Sequence, residues 1–157
     1  MKPAKSCLLL GLWLSMLLGG MQALLASDST TRQYLNSDTY KQLGLPFSEV
    51  VRVGNTMYLS GHVGNIYGKL ELVPGGIEAE TRQTMENIRT SLETHGASLD
   101  DIVKCTIFLA DIKEWGKMNE VYRAFFKEHY PARSALGQNE LALGARVEIE
   151  CIAIAPD

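Results

Sequence analysis

The sequence predicts an α+β fold in which six strands form one sheet and two helices pack on one of its faces. Short apolar segments recur between turn signals, and two longer segments carry apolar residues at helical spacing. Their order along the chain is strand, strand, strand, helix, strand, helix, strand, strand. Each strand–helix–strand unit needs its helix on the sheet. A chain of 157 residues with 46% hydrophobic residues is long enough for one such domain.

The first predicted unit is a β-hairpin. Val50–Val53 and Thr56–Ser60 have strand composition, and the pair Gly54-Asn55 between them is typical of a tight turn. A third short strand is predicted at Leu70–Val73. This part of the chain is therefore expected to form consecutive strands of the sheet.

Two helices are predicted after these strands. The first has an apolar stripe and ends at Gly96, as a helix with a C-terminal glycine would. The second begins near Asp111 and Glu114, which are spaced as in a capping box. We expect both stripes to face the core: Ile77, Thr81, Met85, Ile88 and Leu92 in the first helix, and Trp115, Met118, Tyr122 and Phe125 in the second.

The remaining strands are predicted at Ile102–Leu109, Arg133–Gln138 and Arg146–Ala155. The first of these is almost continuously apolar, which indicates a strand covered on both faces. The last strand places apolar residues on both of its faces, Val147, Ile149, Cys151 and Ala153 on one and Ile152 and Ile154 on the other. Because the two helices cover one face only, the sequence predicts that neighbouring subunits cover the other.

The N-terminus has the composition of a signal peptide. Residues 1–26 contain Lys2 and Lys5, then an apolar run and small residues, and cleavage after Ala26 fits best. We therefore expect a periplasmic or secreted protein without stable membrane association; retention of the segment as a membrane anchor is the alternative. Residues 27–45 are predicted to be a polar lead-in segment, and residues 46–157 the folded domain.

The charge balance argues against nucleic acid as a partner. Without residues 1–26 the chain has 13 basic and 18 acidic side chains, and the remaining sequence contains no basic run. Binding to a phosphate backbone depends on clustered Lys and Arg.

Cys105 and Cys151 both lie in predicted strands. An oxidising compartment would permit a disulfide between them. The sequence does not show that their backbones approach each other, so we expect two buried free thiols.

Two parts of the sequence could carry chemistry. Glu148 and Glu150 share a strand face with Ile152 and Ile154, where partial desolvation would raise the pKa of at least one carboxyl group and suit it to proton transfer; a solvated strand end, where both acids face water, is the alternative. Arg133, at the start of a strand, could hold a small carboxylate through two parallel hydrogen bonds, or pair with Glu148 or another acid of the chain.

Several motifs resemble the Rid (YjgF) family in sequence and order, and they span most of the chain from Pro46 to Pro156. The most specific are the arginine motif and the closing Val-Glu-Ile-Glu. The matching segments are Pro46-Phe47-Ser48, Val51-Arg52-Val53-Gly54-Asn55, Leu59-Ser60-Gly61, Gly75-Gly76-Ile77-Glu78-Ala79, Thr81-Arg82-Gln83, Asn87-Ile88, Phe125-Phe126, Pro131-Ala132-Arg133-Ser134 and Arg146-Val147-Glu148-Ile149-Glu150.

The resemblance implies a chorismate-mutase-like fold with a mixed sheet, and a homotrimer with ligand clefts between subunits. It implies that Arg133 holds a substrate carboxylate and that Glu148, rather than Glu150, positions and activates the attacking water. The implied reaction is hydrolysis of an enamine or imine of the 2-aminoacrylate type to a 2-keto acid and ammonia. Such a substrate is already electrophilic, so neither a cofactor nor a metal is expected.

Other cleft positions match unevenly. Ser60, Gly61 and Asn119 match polar contacts of the family's cleft. Phe47 stands where deaminases of the family have a tyrosine, and Ala135 stands where they have a cysteine. Both changes remove polar groups from the pocket, and Ala135 is expected to widen it.

The histidines are given structural roles. His62 stands where the family usually has a glutamine after Ser-Gly. We interpret His62 as a hydrogen-bonded structural residue, with a functional role near the cleft as the alternative. His95 and His129 are expected at the surface, at helix ends.

Two functions remain in competition. The first is hydrolytic deamination of small carboxylate-bearing imines. The second is non-catalytic binding of small carboxylates, or holdase activity, through the same clefts. Ribonuclease activity ranks third because no basic groove is predicted.

Overall fold

The computed structural model describes residues 31–156, which form a mixed sheet with two main helices on one face. The strands are β1 (Arg32–Leu35), β2 (Val50–Val53), β3 (Thr56–Leu59), β4 (His62–Val63), β5 (Ile102–Leu109), β6 (Ala132–Gly137) and β7 (Val147–Ile154). The helices are α1 (Asp38–Leu43), α2 (Gly76–Thr94) and α3 (Trp115–Tyr122), with 3₁₀ turns at Leu99–Asp101, Ile112–Glu114, Arg123–Phe125 and Ala142–Gly144.

The sheet confirms the predicted α+β class. Six strands are hydrogen-bonded side by side in the order β1-β2-β3-β7-β5-β6. The two-residue strand β4 also pairs with β7 and is the seventh strand of the sheet. Only β5 and β6 are parallel among the described pairs, and α3 lies between them along the chain. The central strand β7 pairs with β3, β4 and β5 and therefore organises the sheet.

The core lies between one sheet face and the helices α2 and α3. Their inward side chains form one buried cluster with alternate residues of the central strands. As predicted, Val147, Ile149, Cys151 and Ala153 of β7 face this core. The helix α2 ends where Gly96 adopts a φ of 83°, which glycine accommodates without steric cost.

The hairpin prediction is confirmed, because Val53 pairs with Thr56 across Gly54-Asn55. The prediction of a strand at Leu70–Val73 is wrong. Within that segment the structure has only an isolated bridge between Asn65 and Leu72, because no neighbouring strand continues the pairing and Pro74 follows.

The lead-in segment is more structured than its composition indicates. β1 pairs with β2, and Ser37 caps the N-terminus of α1, because its side chain accepts a hydrogen bond from the Tyr40 amide. Residues 31–45, which were predicted to be a polar lead-in segment, are therefore folded together with the rest of the described chain. The predicted signal segment, residues 1–26, lies outside the described residues. In the described part, 31–156, no helix combines the length and apolarity needed to cross a bilayer.

The second sheet face is uncovered in the single chain. Tyr58, Leu136 and Ile154 are each more than 40% exposed on this face. Along β5, buried residues alternate with more exposed ones in the same way. Within one chain, therefore, only one face of β5 is covered, whereas both were expected to be. A sheet with an apolar open face generally requires a partner.

The expectation of free thiols is wrong. β5 and β7 pair in a register that places Cys105 directly opposite Cys151, with Cα atoms 4.1 Å apart, and the two sulfurs form a disulfide. The two cysteines are 46 residues apart in the sequence, and the pairing of their strands brings them together, which sequence spacing cannot show.

Candidate functional site

Glu148 occupies the side of β7 that faces away from the helices. The short strand β4 places Val63 opposite Glu148, so the chain turns at Gly61 directly beside the carboxylate. A Cβ atom added at Gly61 would lie only 2.9 Å from Cδ of Glu148 and closer still to its Oε1. Glycine is therefore required at position 61 to leave room for this carboxylate.

A cavity of about 300 Å³ lies beside Glu148. Its walls are mainly apolar, and Glu148 is the one acidic residue among them. The lining includes Tyr40, Leu43, Leu45, Phe47, Gly61, His62, Val63, Asn65, Tyr67, Leu70, Asn87, Ala142 and Leu143. Phe47 and Gly61 of the predicted site thus lie with Glu148 in one hollow.

The environment of Glu148 favours proton transfer. Burial raises the pKa of its carboxyl group above the ordinary value, and the nearby charge of Glu150 raises it further. Glu150 itself is exposed. The structure therefore favours Glu148 over Glu150 as the proton acceptor, as the resemblance implied.

His62 is a buried histidine that also lines the cavity. Burial lowers its pKa below the ordinary value. Its Nδ1 lies 2.8 Å from the carbonyl oxygen of Ser60. Because a carbonyl can only accept, Nδ1 carries the proton and Nε2 is left as an acceptor. His62 thus combines the expected structural hydrogen bond with a place in the cavity wall.

Ser60 supports the turn rather than the cavity. Its hydroxyl donates to the carbonyl oxygen of Ser48 at 2.7 Å, and its amide donates to that of Glu49 at 3.1 Å. These bonds fix the backbone that leads into Gly61. While it donates to Ser48, the Ser60 hydroxyl can still accept a hydrogen bond from a ligand, so the contact that the resemblance implied stays a prediction.

Arg133 lies on the edge strand β6 and faces α3. Its guanidinium donates to Oδ1 of Asn119 at 2.6 Å and stacks near the rings of Tyr122 and Trp115, at 5.0 and 5.8 Å. Among residues 31–156 it makes no ion pair within 4.0 Å, so it does not pair with Glu148 or another acid. It lines a second cavity of about 460 Å³, next to Pro131.

A cationic group in this setting can bind an anion. Arg133 is half-buried, held by Asn119 and flanked by aromatic rings, and it retains free N–H donors. A guanidinium without a carboxylate partner can bind one from a ligand through two parallel hydrogen bonds.

The single chain does not bring Arg133 and Glu148 together. They lie two strands apart, on β6 and β7, point to opposite sheet faces and line different cavities. Strand spacing and register put their Cα atoms on the order of 14 Å apart. Each chain therefore carries two separate half-sites, which we call the glutamate half-site (Glu148, Gly61 and Phe47) and the arginine half-site (Arg133 and Asn119).

Ala135 packs against the core and lines neither cavity of the single chain, so its expected place in a cleft between subunits stays a prediction. Two other expectations need correction. Trp115 is 46% exposed instead of buried, because its ring lies beside Arg133 at the start of α3. The His95 side chain is only 9% exposed and its Nε2 lies 3.3 Å from Oε2 of Glu49, whereas His129 is exposed as expected.

The sequence interpretation missed part of the cavity wall. Tyr40, Leu43 and Leu45 come from α1 and the turn that follows it, and Leu143 comes from the loop before β7. In the lead-in segment, the two leucines on either side of Gly44 were the sequence feature that could have indicated this wall. Within residues 31–156, no group of three or more His, Cys, Asp or Glu side chains is arranged to hold a metal ion.

The chain matches the model of a known family. The family model described as Endoribonuclease L-PSP matches residues 41–155. The chain therefore belongs to the endoribonuclease L-PSP (Rid) family, as its motifs predicted.

Individual relatives refine this assignment. The chain is 40% identical to a mouse protein named 2-iminobutanoate/2-iminopropanoate deaminase, over 69% of this chain and 81% of that one. The human protein of the same name is 38% identical, over 69% and 80% of the two chains. Among solved structures, RidA from an Antarctic Psychrobacter has a TM-score of 0.67 and 40% identity, covering 70% of this chain and 89% of that one.

Proposed function

We propose that the protein hydrolyses small carboxylate-bearing imines to 2-oxo acids and ammonia. The main supporting observation is Glu148, a partly desolvated carboxylate in an apolar cavity, with the room for it provided by Gly61. Relatives about 40% identical are named 2-iminobutanoate/2-iminopropanoate deaminase, which supports this reaction over others that a carboxylate can catalyse.

The reaction needs one group to carry protons. The Glu148 carboxylate takes a proton from water as the water oxygen bonds to the imine carbon, and returns that proton to the nitrogen. The tetrahedral intermediate then collapses: the C–N bond breaks, the hydroxyl proton passes through Glu148 to the nitrogen, and ammonia leaves with the carbonyl formed. Imine and water are consumed, and 2-oxo acid and ammonia are produced, with no redox change.

The complete site requires two chains. We propose that the arginine half-site of one copy faces the glutamate half-site of the next in a homotrimer. The open apolar sheet face and the edge strand β6 support such an assembly. Arg133 would then fix the substrate carboxylate while Glu148 of the neighbouring copy directs water to the imine carbon.

We also propose that the protein is exported. The order of residues in positions 1–26 supports this, and so does the Cys105–Cys151 disulfide, because disulfides persist in oxidising compartments. RNA is not a favoured substrate, since acidic side chains outnumber basic ones, 18 to 15, over the whole chain.

Subunit complementation tests the proposal. Arg133→Ala and Glu148→Ala should each abolish the acceleration of ammonia release from an imine generated by an L-amino-acid oxidase. Co-expression of the two variants in equal amounts should restore about one quarter of the wild-type activity, because about one interface in four then combines two intact half-sites. Failure of the co-expressed variants to regain activity would contradict a site shared between chains. An inactive wild-type trimer would contradict the deaminase function itself.

A further inference from the structure

The cavity beside Glu148 is larger and more apolar than a substrate with a methyl side chain requires. Its volume of about 300 Å³ is many times the roughly 10–15 Å³ that a cavity needs to hold one water molecule. Leu45, Phe47 and Leu143 line it together with the aliphatic and aromatic side chains already named. A substrate such as 2-iminopropanoate has one methyl group with which to fill this space, and would leave most of the apolar wall in contact with water.

We propose, on the basis of the deaminase function, that the preferred substrates are imines with large apolar side chains, branched aliphatic or aromatic. The side chain of the substrate occupies the cavity, and its imine carbon lies at the Glu148 end. Each additional buried methylene improves binding by roughly fourfold, so an isobutyl group should be favoured over a methyl group by at least tenfold.

The backbone at Leu143 supports a ligand-binding role for the cavity wall. Leu143 has φ 61° and ψ 8°, and it is the one non-glycine residue with a positive φ among residues 31–156. This conformation is unfavourable for leucine, and the side chain is nevertheless 49% exposed at the cavity. Core packing therefore does not account for a leucine here, whereas contact with an apolar group from outside the chain would.

The α1 segment contributes the opposite wall. Gly44 adopts a left-handed conformation with φ 62°, which ends α1 and turns the chain so that both Leu43 and Leu45 line the cavity. Tyr40 completes this wall, and burial raises its pKa to about 12, so its hydroxyl remains neutral. The wall therefore adds no charge that would oppose an apolar group.

A small ligand fits the cavity better than an apolar segment of a neighbouring chain. The Glu148 side chain makes no hydrogen bond or ion pair with any residue among 31–156, and its carboxylate lies at the cavity surface. An apolar protein segment inserted here would bury this carboxylate without a partner, which is costly. An imine supplies N–H and water O–H donors to the carboxylate together with an apolar tail.

The test compares imines that differ only in the side chain. L-Amino-acid oxidase generates them from alanine, leucine and phenylalanine, and kcat/KM is measured for each. We expect the leucine and phenylalanine products to be preferred at least tenfold over the alanine product. Leu143→Asn, which retains a residue tolerant of this backbone, should reduce that preference several-fold. Ile112→Asn is the matched control, since Ile112 is also 49% exposed but lies outside the cavity.

The outcomes separate the two proposals. Efficient turnover of the alanine-derived imine without preference for the larger ones would overturn the inference and leave the deaminase function intact. If no imine is turned over, calorimetric binding of 4-methyl-2-oxopentanoate and pyruvate decides the matter. Tighter binding of the larger 2-oxo acid would support the apolar subsite although the deaminase function had failed, and equal or absent binding would overturn both.

Discussion

Gly61→Ala should strongly reduce activity while leaving the fold intact. The added Cβ would lie 2.9 Å from Cδ of Glu148, whereas ordinary contact begins at 3.4 Å. The carboxyl carbon must therefore move by at least about 0.5 Å, and Oε1 by more. The backbone of Gly61 has no positive φ, so alanine is not strained there. The Glu148 carboxylate is the mobile end of a side chain and can move without disturbing the sheet.

The expected effect on catalysis is large. A misplacement of about 1 Å at a reacting group can cost about 100-fold in rate. We therefore expect kcat for imine hydrolysis to fall by 10- to 100-fold, as an order of magnitude, with the melting temperature nearly unchanged. Both quantities are measured on the same preparation, by ammonia release and by thermal unfolding. In a Glu148→Ala background the same substitution should have no further effect on kcat, because the group that it displaces is absent.

Gly64→Ala provides the structural contrast in the same segment. Its Cβ would lie 2.6 Å from Cα of Glu80 in α2, which is backbone and cannot move aside. This variant should lose roughly 1–3 kcal/mol of unfolding free energy. If Gly61→Ala instead destabilised the protein as much as Gly64→Ala, or retained full activity, the role assigned to Gly61 would be refuted.

Further predictions concern titration, assembly, the disulfide and export. Because the pKa of Glu148 is raised above its ordinary value and its carboxylate form is the active one, activity should be lost as pH falls through that raised pKa, and Glu150→Gln should move the inflexion of the pH–rate profile to lower pH. Leu136→Glu should dissociate the oligomer in light scattering, since an unpaired charge on a buried face costs several kcal/mol; an intact trimer would argue that this face is not the interface. Replacing Cys105 and Cys151 by alanine should lower the unfolding free energy by about 2–4 kcal/mol in denaturant titrations, and an unchanged value would show that the disulfide contributes nothing. Mass spectrometry of the exported protein should find the new N-terminus after residue 26, and an intact N-terminus in a cytoplasmic fraction would contradict export.

Local sequence patterns were sufficient to predict elements whose structure depends mainly on neighbouring residues. The hairpin at Gly54-Asn55 and the end of α2 at Gly96 follow from backbone preferences of a few residues, and both were predicted. The alternation of β7 also predicted which residues face the core and that Glu148 lies on the other side. The segment at Leu70–Val73 has strand composition but no partner strand, which shows where local patterns stop being sufficient.

The sequence analysis did not predict the short strands β1 and β4. β1 and β4 are strands because β2 and β7 offer them hydrogen-bonding edges, and their own sequences carry little signal. The wall that α1 contributes to the cavity depends on this docking. A strand of two residues such as His62–Val63 can be recognised only from the neighbour with which it pairs.

The sequence by itself determined the α+β class, the family, and the two residues on which the proposed chemistry depends, Arg133 and Glu148. These follow from local spacing and motifs, which depend on neighbours along the chain. Tertiary structure alone decided that Cys105 meets Cys151, that Gly61 leaves room for the Glu148 carboxylate, and that the arginine and glutamate half-sites are separate within one chain. The physical reason is that strand register sets distances between residues far apart in sequence, and register is fixed by the packing of the whole sheet.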